Sequence, residues 1–300
     1  MINNCPICNN SETSLVFELS NNPISPYLPP SEFEHKQLFG DLRIVECNFC
    51  RHIFNSHFDT ELINDIYASS VSASPNTVSI EMNSNLTNLS NKLHSLIVDN
   101  PIIADIGGGS GDLALHLALK SKKVFLFEPC LNLRKSDFLE RRVELIQEFF
   151  LDSSLEQKYD LVVAKQVLEH VPDLHKFLKK IRNSLNTNGI AYIEVPSFDY
   201  IEKNNAFFDF YYEHIHYFRE NLLISFFESL GLEIIEKNIV KEGHDIGFFL
   251  KLSKACKFKR NIYSSSESIS IKLKDFKDKS IKKLDFHNNT IAIYGATSTL

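Results

Sequence analysis

One segment limits the possible folds more than any other. Residues 102–128 read IIADIGGGSGDLALHLALKSKKVFLFE: an apolar strand runs into Asp105, a turn carries Gly107, Gly108, Gly109 and Gly111, a helix follows, and a second apolar strand ends on Glu128. Such a turn cradles a nucleoside, because glycines let the backbone approach a ligand closely and an acid one strand over accepts hydrogen bonds from ribose hydroxyls. The dinucleotide fingerprint G-x-G-x-x-G needs a glycine three positions after Gly109, where Asp112 stands. A glycine turn alone is an ordinary tight strand-to-helix connection. Asp105 before it and Glu128 after it mark this one as a binding loop.

From residue 101 onward strand and helix patterns alternate, which implies a parallel sheet with helices on both faces. Apolar runs predict strands at 102–106, 124–128, 143–147, 160–165 and 189–196, and helices at 111–120, 131–140, 173–185 and 221–230. Two further strands, 233–240 and 247–253, flank Gly243 and predict a hairpin. Ahead of this region, 21–34 is proline-rich and reads as a surface loop, 42–47 reads as a strand, and 86–98 has helical apolar spacing. Behind it, 257–286 predicts a long amphipathic helix, and a new strand and glycine turn start at Thr290.

Three hundred residues suggest about two domains. No apolar run approaches the ~18 residues of a membrane span, and the start MINNCPICNN lacks the basic and apolar parts of a signal peptide. A cytoplasmic protein without a membrane partner is expected. Residues 251–300 carry 11 Lys/Arg against 4 Asp/Glu, net +7, leaving 21 against 34, net −13, for residues 1–250. An acidic body of this kind argues against nucleic acid as a partner.

Four of the six cysteines form two pairs, Cys5-x-x-Cys8 and Cys47-x-x-Cys50, with 38 residues between them. Two such knuckles present four thiolates tetrahedrally to Zn2+, and four sulfur ligands leave no open position, so the metal would be structural. A pair of disulfides is the alternative, one that an intracellular enzyme rarely keeps. Cys130 and Cys256 have no such partners and read as ordinary buried or half-buried thiols.

Asp105 followed by G-x-G-x-G resembles motif I of the S-adenosylmethionine (SAM) methyltransferases, and 159–196 resembles the later half of their class I fold, with a strand, a Glu-His pair, a helix and an Asn-Gly turn in order. The cysteine knuckles and YYEHIHYF (211–218) narrow the likeness to the sugar C-methyltransferases that act on nucleotide-linked deoxy-keto-sugars. That resemblance implies an α/β chain: a zinc-binding module over 1–58, a helical linker or lid over 59–98, a class I Rossmann-like SAM domain over 99–255, and a helical linker with an incomplete C-terminal Rossmann-like domain over 256–300. Family members are longer, so the chain is expected to be a fragment or a shortened relative. Where the family has a Gly-Gly-Ser turn and an arginine, this chain has GHDIGFFLKL (243–252).

The resemblance also assigns roles. SAM would be held by Asp105, Gly107, Gly109, Gly111 and Glu128, with Glu148 and Phe149 near the adenine and Gln166 near the methionine moiety. Methylating carbon requires removal of the proton next to a ketone and stabilisation of the enolate. His214 is the candidate base, Glu213 orients it or binds a sugar hydroxyl, Tyr211 donates to the enolate, and Tyr67 covers the substrate. His170 and Tyr217 are candidates for the small-molecule acceptor pocket, although His170 at the carboxyl edge of its strand could equally cap the next helix. His175, His216 and His244 read as structural or exposed. Other readings stay open: 207–218 as an aromatic packing segment, an O-methyltransferase in which His214 deprotonates a hydroxyl, or a non-catalytic module with a zinc and SAM fold.

Overall fold

A computed structural model describes residues 2–24, 39–63, 79–130, 133–138, 141–253, 271–272 and 274–275. The chain opens with β1 (Thr13–Pro23), β2 (Phe39–Cys47) and β3 (Ile53–Asn55), which pair antiparallel in that order. β1 continues into the stretch expected to be loop and reaches Pro23 at its end, where a missing N–H is tolerated. Helix α1 (Ile80–His94) follows, capped by Ser79, whose Oγ accepts from the Met82 N–H at 3.1 Å.

Five parallel strands come next: β4 (Ile102–Ile106), β5 (Lys123–Phe127), β6 (Val143–Ile146), β7 (Tyr159–Lys165) and β8 (Leu185–Pro196). They are joined in part by α2 (Asp112–Ala118) and α3 (Leu174–Ser184). After β8 come α4 (Phe198–Asn204), the two-residue β9 (His216–Tyr217) and α5 (Glu220–Ser229). The antiparallel hairpin β10 (Leu232–Val240) and β11 (Asp245–Leu252) then closes the main sheet, whose order is β10-β11-β8-β7-β4-β5-β6.

Period-two alternation decides which face each side chain serves. Ala104, Ile106, Val162, Ala164, Ala191 and Ile193 enter one apolar cluster, while Ile103, Leu126, Leu161 and Val163 enter the other. Both faces are covered, as a parallel sheet requires. Helix α3 buries Leu174, Phe177, Leu178 and Ile181, a one-sided i, i+3, i+4, i+7 stripe. The stretch 131–140 differs from its expected helix: among its described residues only a 3₁₀ turn forms, Lys135–Phe138. Phe138 is the anchor there, packed so closely that a Cβ on Gly111 would stand 2.8 Å from its ring.

The smaller sheet has the order β1-β2-β3-β9, so its last strand comes from beyond β8. Ile53 pairs with Tyr217 and Phe54 with His216. Cys5, Ile7, Cys47, Cys50 and Phe54 share one apolar cluster with Val171, Leu174, Phe218 and Leu222. No helix among the described residues is long and apolar enough to cross a membrane. Tyr67, Cys256, the strand from Thr290 and, apart from 271–272 and 274–275, the helix expected over 257–286 lie outside the described residues.

Candidate active site

The carboxyl ends of β4, β5, β6 and β7 lie along one edge of the sheet, and the residues after them form the first half of the site. Asp105 is 1% exposed; burial, reinforced by the nearby Glu128, pushes its carboxyl up to about 7. Its Oδ2 has no hydrogen-bond partner among the described residues. Gly107, Gly109 and Gly111 adopt φ of +62°, +57° and +83°, the left-handed region that favours glycine. A Cβ on Gly107 would stand 2.7 Å from Val167, whereas one on Gly109 would meet nothing within 4 Å. The loop is thus packed from below and open above.

Glu128 fastens that loop to the next strand: its Oε2 accepts the Gly109 N–H at 3.0 Å and its Oε1 the Cys130 N–H at 3.2 Å. Burial raises its carboxyl, and these two N–H donors oppose the rise. Beyond β6, Glu148 is exposed and Phe149 half-buried. Beyond β7, Gln166 has φ +55°, and its side-chain Nε2 is buried without a hydrogen-bond partner among the described residues. An open loop face, a carboxylate one strand over and an unsatisfied buried amide are a donor and acceptor set that fits an adenosyl group carrying a polar amino-acid tail.

The second half is assembled from residues far apart in sequence. The segment 211–218 is laced to 169–171 by three hydrogen bonds. His170 Nδ1–H donates to the Glu213 carbonyl at 2.9 Å, the Ile215 N–H to the Glu169 carbonyl at 2.8 Å, and His216 Nε2–H to the Val171 carbonyl at 2.9 Å. The capping alternative for His170 does not hold, because Asp173 caps α3 by accepting the Lys176 N–H at 2.9 Å. His214 Nε2 shares a hydrogen bond with the Tyr211 hydroxyl, and its ring lies 4.9 Å, edge to face, from that of His170. Tyr217 is buried, its hydroxyl donating to the Tyr211 carbonyl at 3.3 Å. Glu213 is 5% exposed.

Burial drives the imidazole of His170 down to about 4, that of His216 to about 3 and that of His214 well below its usual range, so all three are neutral near pH 7. Glu169 joins them: one polar atom each from Glu169, His170 and His214 lies within 4.8 Å of the others. Glu169 is fully buried, its carboxyl pushed up to about 8 by burial, and the side chain of His170 stands 3.9 Å from its Oε1. It escaped the sequence reading although it stands in the Glu-His pair, since spacing alone gives a residue in a 3₁₀ turn no direction. The sequence alone gives His244 a structural or exposed place. It is clasped by Asp209 at 3.1 Å and Asp245 at 2.7 Å, which raise it to about 9.

The cysteine pairs converge as their spacing implied. Sγ of Cys5 is 3.4 Å from that of Cys50, and Cys8 is 3.5 Å from Cys47, with all four within 4.8 Å. These distances exceed the ~2.05 Å of a disulfide. They approach the edge of about 3.8 Å that four Zn–S bonds of ~2.3 Å generate. The donor set therefore fits a tetrahedral metal.

A sheet of five parallel strands ending in an antiparallel pair, with a glycine turn after its first strand and an acid after its second, is the Rossmann-like class I fold of SAM-dependent methyltransferases. The sequence profile of a methyltransferase domain matches residues 81–237, and the chain belongs to that family of SAM-dependent enzymes. C-methyltransferase NovU of Streptomyces niveus is 36% identical over 76 residues, which are 25% of this chain and 18% of that protein. Pavine N-methyltransferase of Thalictrum flavum subsp. glaucum is 31% identical over 111 residues, 33% of this chain and 30% of that protein. The chain thus matches less than a third of the length of these curated relatives. The solved structure of Burkholderia thailandensis 1,6-didemethyltoxoflavin-N1-methyltransferase, with bound 1,6-didemethyltoxoflavin and S-adenosylhomocysteine, superposes with a TM-score of 0.54 at 14% identity, over 72% of this chain and 96% of that one. At that identity the likeness is one of fold.

Proposed function

We propose that the chain methylates a carbon next to the ketone of a nucleotide-linked deoxy-keto-sugar. The observation that carries this reading is the Tyr211–His214 pair: a buried imidazole, kept neutral by its surroundings, hydrogen-bonded to a phenol at the carboxyl edge of the sheet. The stretch similar to a C-methyltransferase adds support. SAM, when bound, supplies a methyl group on a positive sulfonium. The chain's own residues do the rest. Asp105, Gly107, Gly109 and Gly111 hold the adenosyl group, Glu128 accepts from its ribose, Glu148 and Phe149 flank the adenine, and Gln166 contacts the methionine tail.

On the acceptor side, substrate displaces the Tyr211–His214 hydrogen bond: Nε2 of His214 takes the proton next to the ketone, and the freed Tyr211 hydroxyl turns to donate to the enolate oxygen as charge develops there. A depressed imidazole is fully deprotonated at neutral pH but is a weaker base, so the phenol must carry much of the stabilisation. Glu213 orients the base, and His170 and Tyr217 line the acceptor pocket. Cys5, Cys8, Cys47 and Cys50 bind a structural Zn2+ that takes no part in the chemistry.

The test is hydrogen exchange at carbon. In heavy water, with S-adenosylhomocysteine bound, a nucleotide-linked 4-keto-deoxysugar should gain deuterium next to its ketone. Methyl transfer to a hydroxyl or amine compound lacking any ketone would replace the carbon reading with oxygen or nitrogen methylation.

A further inference from the structure

Two buried histidines connect the cysteine knuckles to the acceptor loop, and neither belongs to the candidate catalytic set. His52 is fully buried and His216 is 1% exposed. Because His216 Nε2–H donates to the Val171 carbonyl, its Nδ1 is the acceptor, and His52 Nε2, 3.1 Å away, must be the donor. The hydrogen bonds therefore run one way, from His52 through His216 to Val171. On the knuckle side, the Cys47 N–H donates to the His52 carbonyl at 2.8 Å. The His52 ring stacks on Phe54 and Phe218 at 5.8 and 5.7 Å. The backbone repeats the connection: the Asn55 N–H donates to the Ile215 carbonyl at 2.8 Å, and β3 pairs with β9. His214 thus sits between two fastened neighbours, held on one side by 169–171 and on the other by residues 52–55.

We propose that His52 is a positioning residue, through which the metal-binding knuckles hold His214 and the acceptor loop in place while the methyl-donor loop stays independent of them. The donor loop is tied by other residues, with the Gly107 N–H donating to Phe127, the Gly109 N–H to Glu128 and the Gly111 N–H to Gly108. Metal in the knuckles then governs one half of the reaction and leaves the other untouched. The inference rests on the reading of His214 as the base, but its physical content is the order of residues 211–218.

Amide hydrogen exchange of the full chain tests it. His52→Leu fills the space and leaves His216 Nδ1 without its donor, and should raise exchange of 211–218 on the order of tenfold. Exchange of 106–112 and affinity for S-adenosylhomocysteine should stay within about twofold. His52→Gln, which keeps a donor nitrogen near the place of Nε2, should restore protection, and removing metal with a thiol-competent chelator should mimic His52→Leu. Unchanged protection of 211–218 overturns the proposal, as does a variant that loosens 106–112 equally or loses S-adenosylhomocysteine binding. Loss of deuterium wash-in through His214→Ala, with protection intact, tests the base separately: if wash-in survives, the base reading fails and the positioning result stands.

Discussion

The glycine loop between β4 and α2 draws its hydrogen bonds from residues 105–130, whereas the segment 211–218 is fastened by Asn55, His52, Glu169, Val171 and, through its Phe218 carbonyl, the Phe198 N–H. The first is a local device: once β4 and β5 pair, positive-φ glycines leave the chain little choice. The second is a junction of distant segments, and its side chains are buried imidazoles and carboxyls that water would otherwise stabilise. One half can therefore be altered at a single residue, while the other depends on everything packed around it.

His214→Ala should separate the halves most sharply. On the proposed role of His214 as base, its loss should lower turnover by roughly 10²–10⁴, while calorimetric affinity for S-adenosylhomocysteine should move less than about twofold. A tenfold loss of affinity would mean that the halves are not independent. Gly109→Ala is the converse. Its positive φ costs about 1 kcal/mol with a side chain, a melting shift of about 2–4 °C. Its methyl group would occupy the open face above the loop, so affinity should fall about tenfold; unchanged affinity would mean that the adenosyl group lies elsewhere.

The smallest effects separate the halves by pH. Asp105 has a folded value of about 7 against an ordinary 3.8. Its destabilisation is absent below about pH 4, builds up between about 4 and 7 and is constant above, so Asp105→Asn should flatten the melting curve in that window. His244, raised from 6.5 to about 9, contributes stability that is present below pH 6.5 and lost as pH rises through 9. His244→Gln should remove that slope, a change of about 2 °C in scanning calorimetry. A response of either variant in the other's window would show that the two regions titrate together.

The sequence was legible where neighbours in sequence are neighbours in space. Strands 102–106 and 160–165 fall within a residue of β4 and β7, because a parallel strand buried on both faces is a continuous apolar run. The helix predicted over 173–185 was legible from its apolar spacing and forms over Leu174–Ser184. β3 and β9 were not, since strands of three and two residues carry no period and gain their pairing only from each other. Glu169 and the His52–His216 chain were hidden for a related reason: a buried polar group is recognised by what surrounds it, and spacing says nothing about partners 164 positions apart.

The late arrival of β9 bears on synthesis. Both knuckles leave the ribosome before the main sheet does, and the free edge of β3 stays without its partner until residues 216–217 emerge. At 5–20 residues per second that is an interval of about 10–30 s. Through it the nascent N-terminal sheet carries an unpaired strand margin, the kind of surface on which chains cross-associate. Growth conditions that slow elongation over the stretch from β4 to α4 should therefore lower the yield of soluble protein before they affect any catalytic group.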